Sequence, residues 1–197
     1  HCAEFEFVYQ EDPLGLGHAV YCAREKIKSD HFFVLLPDDV FAADTSVCAQ
    51  MVDAFTEFQK PMLTVETVDW EAVHNYGIVK AVPLSDSVGE IQDLIEKPKR
   101  EDAPSNLAVM GRYLLPKSIF QFLEKAEIGH GGEIQLTDAL RHLIKTDGLH
   151  SFAFEGKRLD TGNPLGWLKA NMTLGIQNSD YRDELLKTMQ TLVRRYT

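Results

Sequence analysis

Four short stretches hold side chains suited to phosphate or sugar chemistry. LLPDD, residues 35–39, ends an apolar run on two carboxylates. Carboxylates at the carboxyl end of a buried strand face the ligand crevice of an α/β sheet. Mg²⁺ takes one or two carboxylates together with phosphate oxygens and water. Asp38 is therefore a candidate metal ligand, although Asp38 and Asp39 could equally cap the segment that follows. RLDTGN, residues 158–163, sets Asp160 between a short strand and a turn. There it could meet Asp38 across a crevice, or simply make its own turn hydrogen bonds. IEKP, residues 95–98, pairs an acceptor for sugar hydroxyls, Glu96, with a cation for phosphate, Lys97. Pro98 disposes Lys97 to an extended backbone. Strand alternation then sends the two side chains to opposite faces, so one ligand meets both only if the strand end twists. A solvated ion pair is the plain alternative. In YQEDPLGLGHAV, residues 9–20, the amide of Gln10 suits a base edge. Gly15 and Gly17 permit close backbone approach, and a helix N-terminus near His18 offers unpaired N–H groups. An ordinary turn accounts for the two glycines as well.

Other chemistries find less support. The seven histidines are scattered, and no H-x-x-x-H pair or Ser–His–Asp set can be assembled. Cys2, Cys22 and Cys48 show no C-x-x-C spacing, which fits reduced thiols in a cytoplasmic protein. No G-x-G-x-x-G opens a helix after the first strand, which argues against a dinucleotide-dependent dehydrogenase.

The elements that must hold these residues follow from periodicity. Residues 4–9 alternate like a strand, and 17–27 read as a helix. HFFVLL, residues 31–36, is a compact apolar run of the kind buried on both faces in a parallel sheet. A helix over 45–59 and a strand at PMLTVETV, residues 61–68, complete a β–α–β–α–β alternation, which predicts an α/β sheet with crossover helices. YGIVKAV, EIQDLIEKP and NLAVMGRYLL then predict strands without intervening helices, so the sheet is mixed, mostly parallel. Helices are expected near 116–126 and 133–145, a strand at SFAFEG, a loop at RLDTGNP, and two terminal helices over about 164–197. The apolar stripe of the last helix (Tyr181, Leu185, Met189, Leu192, Val193, Tyr196) is expected to pack within the chain. No linker divides the sequence, so 1–197 reads as one domain.

Composition sets the outer limits. The 44% hydrophobic and 25% charged residues are those of a globular chain able to bury a core. A formal net charge of −10 opposes binding to a nucleic acid polymer, which needs a basic surface. It does not oppose a nucleotide site, where a few lysines, backbone N–H groups and a metal suffice. No apolar run approaches the ~20 residues of a membrane span.

Taken in order, QEDPLGLGHAV, LLPDDV, YGIV, IEKPK, APSNLAVMGRYLL, GGEIQLTDAL and GKRLDTGNPLGW resemble bacterial UTP–glucose-1-phosphate uridylyltransferases along their last two-thirds. The likeness runs from about Phe5 to about Leu174. APSNLAVMGRYLL and GGEIQLTDAL are its specific parts; LPDD and LDTGN are shared more widely among sugar nucleotidyltransferases. The resemblance implies a Rossmann-like nucleotide-diphosphate-sugar transferase fold and the formation of UDP-glucose and pyrophosphate from UTP and glucose 1-phosphate. It implies that Gln10 and the backbone at Gly15, with Gly17 and His18 beside them, receive the nucleotide. Asp38 and Asp160 would hold Mg²⁺, with Lys97 at the sugar phosphate. Gly77, Glu96, Asn106 and Val109 would line the sugar pocket. The family's opening G-x-G-T-R loop and Pro-Lys pair do not occur in the sequence, so His1 is expected to be an artificial start and the isolated chain to be inactive. An oligomer of identical chains is expected. Two other readings stay open: a relative using another nucleotide or sugar, and a non-catalytic sugar-nucleotide-binding module.

Overall fold

A computed structural model describes residues 4–126 and 132–196. The longer elements are α1 (Leu16–Cys22), β1 (His31–Leu35), β2 (Asp39–Ala42), α2 (Val47–Phe58), β3 (Met62–Thr67), β4 (Gly77–Pro83), β5 (Val88–Glu96), β6 (Leu107–Pro116), α3 (Ile119–Glu124), α4 (Leu136–Thr146), β7 (His150–Ala153), β8 (Lys157–Asp160), α5 (Pro164–Gln177) and α6 (Arg182–Tyr196). Backbone contacts group them into two compact units. One is His1–Leu35 with Cys48–Phe154; the other is Leu36–Val47 with Glu155–Thr197.

The first unit is built on a six-stranded sheet of order β1-β6-β3-β7-β5-β4. Its core comes from strand residues such as Met62, Leu63, Ile78, Leu94, Met110 and Leu115, all essentially without exposure. Helix α4 covers part of that core with Leu136, Ala139, Leu140 and Leu143, a spacing that forms one helical face. Each of its buried leucines contributes roughly 1.5–3 kcal/mol relative to exposure. Gly77 stands opposite Glu96 in the β4–β5 ladder, and Ile78 opposite Ala108 of β6. One end of β4, β5 and β6 therefore brings Gly77, Glu96 and the segment 106–109 together.

The second unit is a two-stranded antiparallel ribbon, β2 with β8, followed by α5 and α6. Asn163 caps α5 by accepting from the Gly166 N–H at 2.8 Å, and Pro164 takes the first helical position, where a missing N–H costs nothing. A Cβ on Gly175 would lie 2.7 Å from Leu185 Cδ2, so α5 and α6 touch closely there.

The fold class, an α/β chain with a mixed sheet and flanking helices, is as the sequence implies. Several elements differ. The parallel share is smaller than expected: among the described ladders only β3–β7 is parallel, because the middle of the chain folds back through short connections instead of crossover helices. Among the described residues β1 is an edge strand, antiparallel to β6, with His31 and Leu35 exposed; its apolarity is spent partly on Phe32 stacking against Phe120 at 5.1 Å. Residues 4–9 form no strand, and Phe5, Phe7 and Tyr9 are exposed, since alternation makes a strand only where a partner ladder exists. Helix α1 stops at Cys22, short of residue 27. The expected loop at RLDTGNP begins as strand β8. The stripe of α6 is covered only in part: Leu185 and Met189 are half-buried, with Leu185 against Gly175 of α5, while Tyr181 and Tyr196 stay 62% and 77% exposed.

His150 lies buried in β7, and its Nδ1 has no partner among the described residues. Its ring meets Phe58 edge-on at 5.8 Å. Burial holds its pKa below 6.5, opposed by Glu90 across the ladder and aided by Lys60. The unfolded chain therefore takes up this proton more readily than the folded one. Stability present above pH 6.5 is lost as the pH falls through the lowered folded value. Urea midpoints are expected to drop with acidification in this window, and to drop less in His150→Leu; identical pH dependence in the two proteins would contradict this assignment.

Candidate functional site

The acids singled out in the sequence, Asp38 and Asp160, both belong to the second unit. The β2–β8 ladder sets Asp39 opposite Asp160, which brings Asp38 to the same end. There the Asp38 carbonyl accepts from both the N–H and the hydroxyl of Thr161, each at 2.8 Å, tying together positions 123 apart in sequence. Asp160 Oδ1 accepts from the Gly162 N–H at 2.9 Å. A methyl group built on Gly162 would sit 3.0 Å from Asp38 Oδ2 and 3.3 Å from Asp160 Oδ1. Two carboxylate oxygens thus face one point, over a residue with no side chain to fill it.

Beneath this point lies a charge pair that sequence reasoning missed. Arg158 Nε donates to Asp39 Oδ1 at 2.5 Å, and its terminal nitrogen stands 3.5 Å from Asp160 Oδ2. The Asp39 and Arg158 side chains are only 7% and 12% exposed. Strand alternation offered the signal, since positions 158 and 160 share a face of β8. The second carboxylate of LLPDD is therefore the ribbon's ionic anchor, while Asp38 stays exposed.

Two carboxylates fit a Mg²⁺ ion, which readily completes its shell with phosphate oxygens and water. Among the described residues no three His, Cys, Asp or Glu side chains converge as a metal cage. The donors fit an ion that arrives with phosphates more than one held by protein alone.

The other candidate residues lie in the first unit, in two clusters. In one, the Gln10 side-chain amide donates to the Gly15 carbonyl at 3.1 Å and meets His18 Nδ1 at 3.0 Å. His18 Nε2 lies 3.6 Å from Cys22 Sγ. Both amide N–H groups of Gln10 are used, which leaves its carbonyl oxygen for a donor. Gly15 has φ +95°, and a Cβ there would stand 2.8 Å from that of Glu133. A Cβ on Gly17 would stand 2.7 Å from the Ile134 carbonyl, to which the Gly17 N–H donates at 2.9 Å. The chain's own segment 133–135 thus already occupies the close approach that these glycines permit.

In the second cluster, a Cβ on Gly77 would sit 3.2 Å from Glu96 Oε2 and 3.7 Å from Val109 Cγ2. Glu96 Oε2 accepts from the Thr137 hydroxyl at 2.5 Å, a partner absent from the sequence reading. Asn106 donates from its side chain to the Val68 carbonyl at 2.8 Å and receives the Val68 N–H on its own carbonyl, which pins the entry to β6. Lys97 corrects the expectation of an extended backbone. Its φ is +44°, held by the Lys97 N–H on the Tyr76 carbonyl at 2.9 Å. Such a conformation costs a non-glycine residue about 1–3 kcal/mol and persists only where surrounding contacts impose it. It breaks the alternation and brings Lys97 Nζ to 4.0 Å from Glu96 Oε1.

Comparison with known proteins assigns the chain to one family. The family model for nucleotidyl transferases matches residues 2–176, and the chain belongs to that family. Within it, the chain is 40% identical over 195 residues to the UTP–glucose-1-phosphate uridylyltransferase YngB of Bacillus subtilis, covering 99% of this chain and 66% of that protein. It superposes on a UDP-glucose pyrophosphorylase complexed with UDP-glucose at a TM-score of 0.84 and 38% identity, over 88% of this chain and 67% of the other. A UTP-bound UGPase from Acinetobacter baumannii gives 0.82 and 36%, over 91% and 62%. The chain spans about two-thirds of the length of these relatives.

The buried pair makes a testable claim on stability. Arg158→Met is expected to cost about 3–5 kcal/mol, because it takes the guanidinium from a buried carboxylate. Adding Asp39→Asn should recover much of that loss. Urea denaturation of the single and double variants measures both, and a double variant as unstable as the single one would contradict the pairing.

Proposed function

We propose that this chain supplies the metal-side and sugar-side residues of a Mg²⁺-dependent uridylyltransferase that forms UDP-glucose and pyrophosphate from UTP and glucose 1-phosphate. The observation that carries the reading is the convergence of Asp38 Oδ2 and Asp160 Oδ1 on the empty side-chain position of Gly162. The likeness to proteins named for that reaction supports it.

A phosphate oxygen of glucose 1-phosphate attacks the α-phosphorus of UTP in line. The bond from that phosphorus to the β-phosphate oxygen breaks, and pyrophosphate departs with the electron pair. No protein nucleophile is required, so catalysis consists of positioning and charge stabilisation. Asp38 and Asp160 would hold the cation, which when bound would supply neutralising charge to the phosphates. Lys97 offsets the charge of the sugar phosphate. Glu96 accepts from hexose hydroxyls, and Gly77, Asn106 and Val109 border the same pocket. The carbonyl oxygen of Gln10 accepts from the imide N–H of uracil, beside the Gly15 backbone.

No helix among the described residues is long and apolar enough to cross a membrane. A cytoplasmic location is supported by the free thiols of Cys22 and Cys48. An oligomer of identical chains is supported by the exposed aromatic residues Tyr181 and Tyr196 at the two ends of the α6 stripe.

The 197 residues contain no G-x-G-T-R run. Assayed alone with UTP, glucose 1-phosphate and Mg²⁺, the chain is expected to form at most a trace of UDP-glucose. Co-expressed with the G-x-G-T-R-bearing segment of a relative, it is expected to turn over with UTP in preference to dTTP. Lys97→Ala in that assembly should lower kcat by about 10²–10³, the scale of losing one preorganised charge-stabilising group. Robust turnover by the chain alone would overturn the first expectation. An assembly that binds its partner segment but turns over dTTP better than UTP would overturn the assignment.

A further inference from the structure

We propose that Thr137 is a positioning residue for sugar recognition: its hydroxyl fixes the Glu96 carboxylate by one oxygen and so presents the other to a hexose hydroxyl. This rests on the reading of Glu96 as the sugar-hydroxyl acceptor.

The contact is short and sheltered. Thr137 Oγ1 donates to Glu96 Oε2 at 2.5 Å, and Thr137 is only 8% exposed. A hydroxyl so far from water needs a partner, and the carboxylate supplies it. The same oxygen lies over Gly77, where a Cβ would come within 3.2 Å. Glu96 Oε2 is therefore committed to the protein. Oε1 is the oxygen on the side of Lys97, whose ammonium stands 4.0 Å away. A hexose phosphate placing its phosphate at Lys97 would bring its ring to that open oxygen.

Thr137 is well placed to hold this geometry. It is β-branched, so its own torsion is stiff. It sits in the first turn of α4, a helix docked by Leu136, Ala139, Leu140 and Leu143. One turn further along α4, Arg141 reaches Asp93 of β5 at 3.8 Å, so the helix is clasped to that strand at a second point. A free glutamate side chain loses rotamer entropy when it is fixed. Here that ordering is complete before the sugar arrives, which favours binding. It also favours selectivity, because a fixed acceptor left unpaired penalises a sugar that lacks the hydroxyl.

Calorimetric titration of the chain with UDP-glucose and with its singly deoxygenated analogues tests the proposal. Wild type is expected to discriminate against at least one analogue. Thr137→Ser should keep both affinity and discrimination. Thr137→Val and Thr137→Ala, confirmed folded by circular dichroism, should each bind UDP-glucose roughly tenfold more weakly. Their discrimination against that analogue should shrink, a change that a purely structural role would not produce. Glu96→Gln serves as the reference. If it leaves affinity and discrimination intact, the sugar reading of Glu96 fails. If it abolishes them while both hydroxyl-lacking variants of Thr137 match wild type, the reading of Glu96 stands and the positioning role is overturned.

Discussion

The ribbon formed by β2 and β8 is the constraint on which the candidate metal site depends. It joins two segments separated in sequence by the Cys48–Phe154 part of the first unit. Four paired residues give little stabilisation by backbone hydrogen bonding alone, since each such bond is worth about 0.5–1.5 kcal/mol net. The Arg158–Asp39 pair adds a buried ionic tie inside the ladder, and Thr161 adds two hydrogen bonds to the Asp38 carbonyl. Slippage by one residue would turn Asp160 away from Asp38, because a strand's side chains alternate in direction. The ionic pair thus fixes a register as well as adding stability.

The two acids differ in surroundings, and the difference is chemically sensible. Asp160 is held by the Gly162 N–H on one oxygen and approached by Arg158 on the other, whereas Asp38 is exposed on a turn. Arg158 is largely balanced by Asp39, so it approaches Asp160 without leaving an excess of positive charge beside the candidate cation site. Gly162 keeps the space between the carboxylates empty. In the first unit the same economy recurs: Gly77 leaves room beside Glu96, Thr137 restrains one carboxylate oxygen, and the unusual backbone of Lys97 turns an alternating pair into a convergent one.

Much of this was legible in the sequence. β6 is a long run dominated by apolar residues, β3 and β5 carry β-branched residues at buried positions, and α4 has a clear apolar face, so local pattern and tertiary role agree. Asp38 stood out because a carboxylate ends a short apolar run, and Asp160 because it lies between a short strand and a turn. What escaped depended on partners distant in sequence. The strands β2 and β8 are four residues each, too short for periodicity to speak, and Arg158 acquires meaning only opposite Asp39. Thr137 looked like one residue in a helix, because nothing local says that Glu96 lies beside it. The expected strand at residues 4–9 shows the reverse case, alternation without a ladder to join. Lys97 was misread because pre-proline preference is a local tendency, and the Tyr76 carbonyl overrides it.

The central claim is that the carboxylates at positions 38 and 160 act as one divalent-cation site together with a sugar nucleotide. Electron paramagnetic resonance of Mn²⁺ in the presence of UDP-glucose reports the bound ion directly and needs no turnover. Asp38→Asn and Asp160→Asn should each abolish most of the nucleotide-dependent Mn²⁺ signal, and the double variant should lose little more than either alone. Undiminished Mn²⁺ binding in both single variants, with the fold intact, would contradict the account.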